Sequence, residues 1–504
     1  LMRQGLHPGG WGALVAAVAY EGSPKLLAHL GAGHVGWVQA WAWLPLVVLC
    51  VYNASSSSRH PWRWTLGAGF VLAIQFCADV RMSAYTLAAA ISLVLARLAS
   101  RAIRETKSTE QIGLLSLRSR LTDLRFPLTS LAVFAGLSAC QWLPAFALLP
   151  ETTRSTMTFQ DAAVWSLPPR YLVGLLLADH GGHHEWMVYV GVGTLAFACR
   201  GVRSSWHALD ERVESSIPAG QGWPGVWLVG LAVIGAWFSL GSNAGLFQIL
   251  WRVVPGLGLL RVPPRAWVLV VFATAVLAGL GWEEARGAAD TKTGHWERAL
   301  TVGIAVFPPI LVMGYWAMID PPPLNLVLFG TITPLAIALS QTQLQDRKMP
   351  WPGILILILI ALDLLIVDVT LIQARSPKRV FEDGRAPAEW LAGQPGRFRV
   401  YSPSYSIPQH VAERYGLESA DGVDPLQLRA YANFLTRAAG VEPQDEYGVT
   451  LPPFPEGSLE NVCPNAKMFG QLGVRYVAAV FPLDCGQQPP NIGWQLVERL
   501  DETY

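Results

Sequence analysis

Charged residues are scarce in this sequence: Asp, Glu, Lys and Arg together make up only 14% of its 504 residues. Soluble proteins carry about 25%, and the mean hydropathy here is correspondingly high at +0.33. The net charge of +1 gives no sign of the basic surface that nucleic-acid binding requires. The P-loop pattern GxxxxGK[ST], the nucleophile elbow GxSxG and CxxC pairs are also absent from the sequence, which excludes the P-loop, hydrolase and thiol-redox motifs.

Apolar residues make up 52% of the chain. Apolar runs of roughly twenty residues, the length that crosses a bilayer, recur as far as residue 372. The sequence therefore predicts an α-helical polytopic membrane domain over residues 1–372 with about eleven transmembrane helices. The predicted spans are 11–29, 36–53, 64–79, 82–99, 126–149, 185–200, 225–240, 266–282, 299–319, 324–341 and 353–372.

The distribution of Lys and Arg between loops predicts the orientation. With the N-terminal end in the cytoplasm, the loops on that side hold 18 Lys and Arg, whereas the opposite loops before residue 373 hold 7. Cytoplasmic loops are the ones enriched in these residues. Residues 373–504 are therefore predicted to lie outside the cytoplasm.

The last 132 positions change in composition and predict a small extracytoplasmic α/β domain over residues 373–504. "RFRVYS" and "GVRYVAAVF" alternate like strands, and "DPLQLRAYANFLTRAAG" has the pattern of a helix. Cys463 and Cys485 would form a disulfide in an oxidising compartment, or else remain two thiols. Because the sequence ends directly after a predicted strand, we expect this domain to be truncated.

Two arginines flank a proline pair in "GLGLLRVPPRAWVLVV", where a predicted span begins on the outer side. Arg265 falls in the first helical turn, where the helix dipole is already positive. A bound anion would offset the repulsion between this dipole and the arginine charge. Arg261 could complete a phosphate site. The alternative is that both side chains reach lipid headgroups.

Several polar residues of the outer loops are further candidates. In "LLLADHGGHHEW", His180 and His184 have i,i+4 spacing, but Gly181 and Gly182 disfavour a rigid helix, so we predict no metal site there. His180 and Asp179 are predicted to contact substrate, with a polar loop as the alternative. The remaining candidates, each of which could instead belong to a local salt bridge or solvated charge cluster, are Asp79, Arg154 and Asp161.

Asp363 and Asp368 lie within the last predicted span. Ionisable groups inside a membrane are costly and suggest function. A buried hydrogen bond to a neighbouring helix is the structural alternative for Asp363.

Several stretches together resemble the YfhO-like family of bacterial multi-pass membrane proteins. They are "KLLAHLGAGHVGWVQAWAWLPLVVL", "QWLPAFALLPETTRSTMTFQDAAVWSLPPRYLVGLLLADHGG", "LFQILWRVVPGLGLLRVPPRAWVLV", "GVDPLQLRAYANF" and "LGVRYVAAV". That family looks related to the GT-C glycosyltransferases. The resemblance implies an enzyme of the bacterial plasma membrane that moves a sugar from a polyprenyl-phosphate carrier to an envelope glycopolymer, lipid or protein, with no obligatory cofactor.

The resemblance also implies roles for the candidate residues. Arg261 and Arg265 would hold the leaving phosphate, with His180 and Arg154 as further substrate contacts. The acid expected as general base lies in a first outer loop that we expect to precede Leu1, so the candidates in its place are Asp79, Asp161 and Asp179. The alternative functions are a transporter or flippase of lipid-linked saccharides, and a non-catalytic membrane scaffold.

Overall fold

A computed structural model of the chain describes residues 10–55, 60–108, 114–178, 181–210, 223–287, 351–403, 406–442, 447–452, 462–481, 483 and 493–500. Contacts divide the chain into two units. The helical unit contains residues 1–141, 163–255 and 260–373, and the tail unit contains residues 142–162, 256–259 and 374–504. The tail unit thus includes two short segments that precede the predicted domain boundary at residue 373.

Helices dominate the part of the chain that the structure describes. In chain order they are α1 (Gly10–Glu21), α2 (Pro24–Gly31), α3 (Val35–Trp41), α4 (Leu44–Ser55), α5 (Pro61–Ala78), α6 (Val80–Ser108), α7 (Leu114–Leu137), α8 (Ala139–Leu148), α9 (Phe159–Ala162), α10 (Val192–Asp210), α11 (Trp223–Ser239), α12 (Leu246–Val253), α13 (Trp267–Gly287), α14 (Trp351–Leu371), α15 (Pro377–Val380), α16 (Arg385–Ala392), α17 (Gln409–Arg414), α18 (Arg429–Ala438) and α19 (Ala466–Gln471). The strands are β1 (Arg399–Tyr401), β2 (Glu418–Ser419), β3 (Gly422–Val423), β4 (Thr450–Leu451) and β5 (Val474–Val477).

Four of the described helical segments are long and apolar enough to cross a membrane. They are Val35–Ser55, Val80–Ser100, Pro263–Ala285 and Gly353–Leu371. A fifth span is present if the pair Leu124–Leu137 and Ala139–Glu151, bent by 71°, is counted as one. The length and hydropathy of these helices are those expected of a helical membrane protein.

Several predicted spans take a different form in the structure. Span 11–29 is divided between α1 and α2, because Pro24 has no N–H group with which to continue the first helix. Span 185–200 is α-helical only from Val192, after a 3-10 turn at His184–Trp186. Spans 299–319 and 324–341 lie outside the described residues.

Helix α13 is the most buried of the four candidate spans, and α1, α10 and α11 pack against it. Helices α10 and α13 approach closely at two glycines. A Cβ atom on Gly201 would lie 2.1 Å from the carbonyl oxygen of Leu277, and one on Gly281 would lie 1.9 Å from that of Phe197. Small residues allow this backbone approach, which fixes the position of α13 and of the residues at its beginning.

Asp363 of α14 binds the beginning of α10. Its Oδ2 accepts a hydrogen bond from the backbone N–H of Val192 at 2.8 Å, and its Oδ1 accepts one from the Tyr189 hydroxyl at 2.5 Å. The first N–H groups of a helix have no partner within the helix, so the carboxylate satisfies a group that burial would otherwise leave unpaired. This is the structural alternative that the sequence left open.

The tail unit contains a three-stranded parallel sheet in the order β2-β1-β5, together with a β3–β4 antiparallel pair. Strands β1 and β5 lie in the two segments with alternating patterns, and α18 lies in the segment predicted to be helical. Arg429 of α18 donates to the carbonyl oxygens of Pro150 and Thr152, which attaches the 142–162 segment to this unit. Cys463 is disulfide-bonded, while Cys485 lies outside the described residues.

Asp363→Ala should lower the free energy of unfolding by about 2–3 kcal/mol, because it leaves the Tyr189 hydroxyl and the Val192 N–H buried without a partner. Asp368 lies five residues further along the same helix, and its buried Oδ1 has no hydrogen-bond partner among the described residues. Asp368→Ala is therefore the matched control and should cost less than about 1 kcal/mol. Thermal unfolding of the detergent-solubilised chain measures both, and equal losses would contradict the assignment.

Burial raises the pKa of Asp421 to about 6, against the smaller opposing effect of the Ser402 N–H, which donates to its Oδ1 at 2.9 Å. The folded tail unit therefore holds this proton more tightly than the unfolded chain does. The corresponding stability, about 3 kcal/mol, is present below about pH 4 and lost as the pH rises through about 6. Hydrogen-exchange protection of the β1 amides in the full chain should therefore decrease as the pH rises from about 4 to about 6. Asp421→Asn should remove this pH dependence. A wild-type profile that is already flat over this range would refute the linkage.

Candidate functional site

A group of ionisable side chains is buried inside the helical unit, where α2, the 3-10 turn before α10 and the beginning of α13 meet. Glu185 is completely buried at its centre. Its Oε1 accepts from Nε of Arg265 at 2.8 Å and lies 2.6 Å from Nη2 of the same guanidinium. Lys25 donates to the backbone carbonyl oxygen of Glu185 at 2.6 Å, and its Nζ lies 3.9 Å from Oε2.

Three histidines surround the same carboxylate. The Nδ1 atoms of His29 and His34 lie 2.9 Å apart. Nε2 of His29 lies 3.5 Å from Oε2 of Glu185, and Nε2 of His184 lies 3.6 Å from Oε1. We call this group the buried ion cluster; its members are Lys25, His29, His34, His184, Glu185 and Arg265.

Local sequence explains how α2 and the turn after it supply three of these side chains. Pro24 occupies the first turn of α2, where its missing N–H group has no cost. Lys25 and His29 are four residues apart and so lie on one face of the helix. Gly33 has a φ of +79°, which reverses the chain after α2, and the N–H of His34 donates to the carbonyl oxygen of His29 at 2.9 Å.

The backbone before α13 is unusual at the point where it places Arg265. Val262 has a φ of +66°, a left-handed conformation that a β-branched residue rarely adopts. Pro263 and Pro264 follow it, and Pro263–Ala266 forms a 3-10 turn that leads into α13. Arg265 is buried at the end of this turn. Backbone strain of this kind is held in place only by the surrounding structure, here including the ion pair with Glu185.

The charges of the cluster influence one another strongly. Arg265 and Lys25 both lie within 4 Å of the carboxylate of Glu185. Burial, followed by repulsion from Arg265, lowers the pKa of His34 to about 4. The two cationic side chains Lys25 and Arg265 thus share the single carboxylate of Glu185.

Trp37 of α3 connects the cluster to the beginning of α6. The ring is buried, with the guanidinium carbons of Arg265 and Arg81 each 5.9 Å from its centroid. Arg81 is paired with Asp79, whose Oδ1 also accepts from the backbone N–H groups of Arg81 at 2.8 Å and Met82 at 3.0 Å. Asp79 therefore caps α6 and neutralises Arg81 beside the cluster.

Aromatic rings continue from the cluster toward the exposed Trp165, and we call them the aromatic rim. The rings of His184 and His183 stack at 5.0 Å, and His183 lies 5.0 Å from Trp165 and 4.9 Å from Trp186. Arg261 lies 5.4 Å over the Trp165 ring. Tyr171 stacks on Trp186 with ring centroids 5.2 Å apart, and the rim consists of Trp165, Tyr171, His183 and Trp186.

The sequence-predicted residues are divided between these places. Arg265 belongs to the buried ion cluster, Arg261 to the rim, and Asp79 adjoins the cluster through Trp37. Arg154 and Asp161 belong to the tail unit: Arg154 donates to the Tyr447 hydroxyl at 3.1 Å, and Asp161 accepts from the N–H of Thr158 at 2.7 Å. Asp179 and His180 lie outside the described residues.

Sequence reasoning missed four members of the cluster. Lys25 is one of the seven Lys and Arg residues assigned to the outer side, and the sequence patterns do not single out His29, His34 or Glu185. A signal was available for three of them, because Lys25, His29 and Glu185 fall within or at the edge of apolar runs predicted to be spans, where ionisable residues suggest function.

Arg265→Met should lower the free energy of unfolding by about 3 kcal/mol, because it removes the charge that Glu185 contacts most closely in a buried site. Arg252→Met is the control, because Arg252 is an exposed arginine of α12, and it should cost no more than about 0.5 kcal/mol, the usual limit for a surface substitution. Thermal unfolding of both variants in the same detergent gives the comparison. A similar cost for the two variants would mean that the Arg265–Glu185 pair has no structural role.

No family model and no curated protein matches the sequence. The functional inference for this chain therefore depends on the buried ion cluster and the aromatic rim. These two features supply the charge, the burial and the exposed contact surface that a ligand would meet.

Proposed function

We propose that the protein is a multi-pass glycosyltransferase of the bacterial plasma membrane, which transfers a sugar from a polyprenyl-phosphate carrier to an acceptor of the cell envelope at the outer face. In this proposal the tail domain also lies outside the cytoplasm. The observation that carries the proposal is the unbalanced positive charge of the buried ion cluster, together with Arg261 at the adjoining rim.

The charge balance favours an anionic ligand. Lys25 and Arg265 share the single carboxylate of Glu185, while Asp79 is already paired with Arg81. Buried charges are normally compensated, and a phosphate group would supply the missing negative charge. Arg261 lies over the exposed Trp165 ring at the rim, so we assign the direct phosphate contact to Arg261, with the cluster providing the positive potential behind it.

The predicted topology is consistent with a site at the outer face. The residues of the cluster and rim lie in, or directly beside, segments that the distribution of Lys and Arg assigns to that side. Polyprenyl carriers are membrane lipids, so a phosphate site at the end of a helical span would meet the headgroup of the carrier while its chain remains in the bilayer.

The transfer step follows from this arrangement. The acceptor hydroxyl oxygen forms the new bond to the anomeric carbon of the sugar, the bond from that carbon to the phosphate oxygen breaks, and the acceptor proton passes to a base. The leaving phosphate gains negative charge as the bond breaks. Positive groups that are already fixed in position stabilise that charge without further reorganisation.

A transporter of lipid-linked saccharides has less support from the same contacts. Its path through the bilayer would use acids within the spans, of which Asp363 is the most central in sequence. The carboxylate of Asp363 is instead occupied by Tyr189 and the beginning of α10. These contacts give Asp363 a structural role, which is why we place the transporter second.

Binding of a polyprenyl phosphate, compared with the polyprenol of the same length, tests the proposal without knowledge of the sugar. The purified full chain in detergent should bind the phosphate at least tenfold more tightly, because only the phosphate meets the positive site. Arg261→Gln should weaken phosphate binding by roughly tenfold. Native mass spectrometry with both lipids gives the two affinities.

Arg252→Gln is the matched control, since Arg252 is an exposed arginine of α12 that precedes Arg261 in the same predicted loop. It should leave the preference for phosphate unchanged. Equal binding of phosphate and alcohol, or an equal effect of the two substitutions, would overturn the assignment of Arg261. In vesicles that contain the labelled lipid-linked sugar, a transporter would move the lipid and leave its sugar–phosphate bond intact.

A further inference from the structure

We propose that His29, His34, His184 and Glu185 bind a zinc ion. With one ligand atom taken from each, the four atoms all lie within 4.8 Å of one another. Residues 29 and 34 reach this place from α2 and the turn after it, and residues 184 and 185 from the 3-10 turn before α10. The histidine–carboxylate set is therefore assembled by the fold from two distant parts of the chain.

The interatomic distances suit a small ion. Tetrahedral zinc binds nitrogen and oxygen at about 2.0–2.2 Å, which keeps neighbouring ligand atoms about 3.3–3.5 Å apart. Here Nε2 of His29 lies 3.5 Å from Oε2 of Glu185, and Nε2 of His184 lies 3.6 Å from Oε1 of the same carboxylate. Small movements of the side chains would bring these atoms to the coordination distance.

Unsatisfied polar atoms of buried residues provide the second observation. His29 and Glu185 are both completely buried. Nε2 of His29, Oε2 of Glu185 and Nε2 of His184 have no hydrogen-bond partner among the described residues. Leaving such atoms unpaired in a buried site is costly, and a bound metal ion is one of the partners that would satisfy them.

Zinc is the metal that the ligand types favour. Imidazole suits zinc, copper, iron and nickel, whereas magnesium and calcium select sites made mainly of oxygen. Three imidazoles with one carboxylate therefore exclude the latter pair. The side chain of His184 is 27% exposed, so the site opens on one side, as in zinc sites that admit a further ligand.

The nearby cations impose a condition on the ion. Lys25 and Arg265 lie beside the same carboxylate, so a divalent cation would add to an existing positive excess. Glu185 alone does not balance it, and an anion such as hydroxide or phosphate would accompany the metal. Zinc and an anion would then occupy the site together, and zinc affinity should increase when inorganic phosphate is present.

The sequence alone did not predict a metal here. The only pair considered was His180 with His184, whose i,i+4 spacing is interrupted by two glycines. In the structure His184 instead meets His29 and His34, which lie about 150 positions earlier. His183, its immediate neighbour, stacks against Trp165 and Trp186 in the rim and does not belong to the four-residue set.

Zinc content of the purified full chain tests the proposal, with the affinity tag removed and no lipid carrier added. We expect about one zinc per chain by elemental mass spectrometry after dialysis against metal-free buffer. His34→Ala and His184→Ala should each lower retention at least tenfold. His183→Ala, the matched control from the same turn, should retain the metal. Replacement of zinc by cobalt should give the visible absorption of a tetrahedral site in wild type and in His183→Ala only.

Three outcomes would overturn the zinc site. They are no retained metal and no cobalt spectrum in the wild-type chain, equal retention in all variants, and loss of metal in His183→Ala as well. His34 and His184 are partly exposed, so their substitution should leave the unfolding temperature of the metal-free chain within a few degrees of wild type. Failure of polyprenyl-phosphate binding with zinc retained would count against the proposed function alone.

Discussion

The contact between Arg265 and Glu185 is the interaction on which the site depends. A single buried carboxylate accepts from the guanidinium and adjoins Lys25, His29 and His184. Removing its charge would leave two buried cations without compensation, at a cost of several kcal/mol. Because the partners come from α2, the turn before α10 and the beginning of α13, the same carboxylate also holds three separate segments of the helical unit together.

Packing of apolar helices makes that arrangement possible. The α10–α13 crossing at Gly201 and Gly281 allows no larger side chain, and it holds the two helices close together. Asp363 then fixes the first turn of α10 from α14. The turn that carries Glu185 ends at Trp186, shortly before that helix begins at Val192. The cap and the close helix crossing therefore both restrict the position of the carboxylate.

Sequence patterns predicted those helices and strands whose signals lie within a few neighbouring residues. Apolar runs located α6, α11, α13 and α14, and alternation located β1 and β5, because each signal repeats within a few positions. Pro24 divides the first predicted span into two helices. It lies within an apolar run, and that run by itself predicted a single span. The cluster could not be predicted in this way. Its members are adjacent only through tertiary contacts, and no local period relates His34 to His184.

Arg261 and Arg265 differ in exposure. This difference suggests how the segment before α13 can contribute both to stability and to ligand binding. Arg265 is buried and its Nε and Nη2 are committed to Glu185, so its charge contributes a fixed potential, whereas Arg261 lies at the rim over Trp165. A charge held in place before a ligand arrives needs no reorganisation when negative charge develops. The strained Val262 between the rim and the cluster is then understandable: it turns the chain so that successive arginines face two environments, one closed and one accessible.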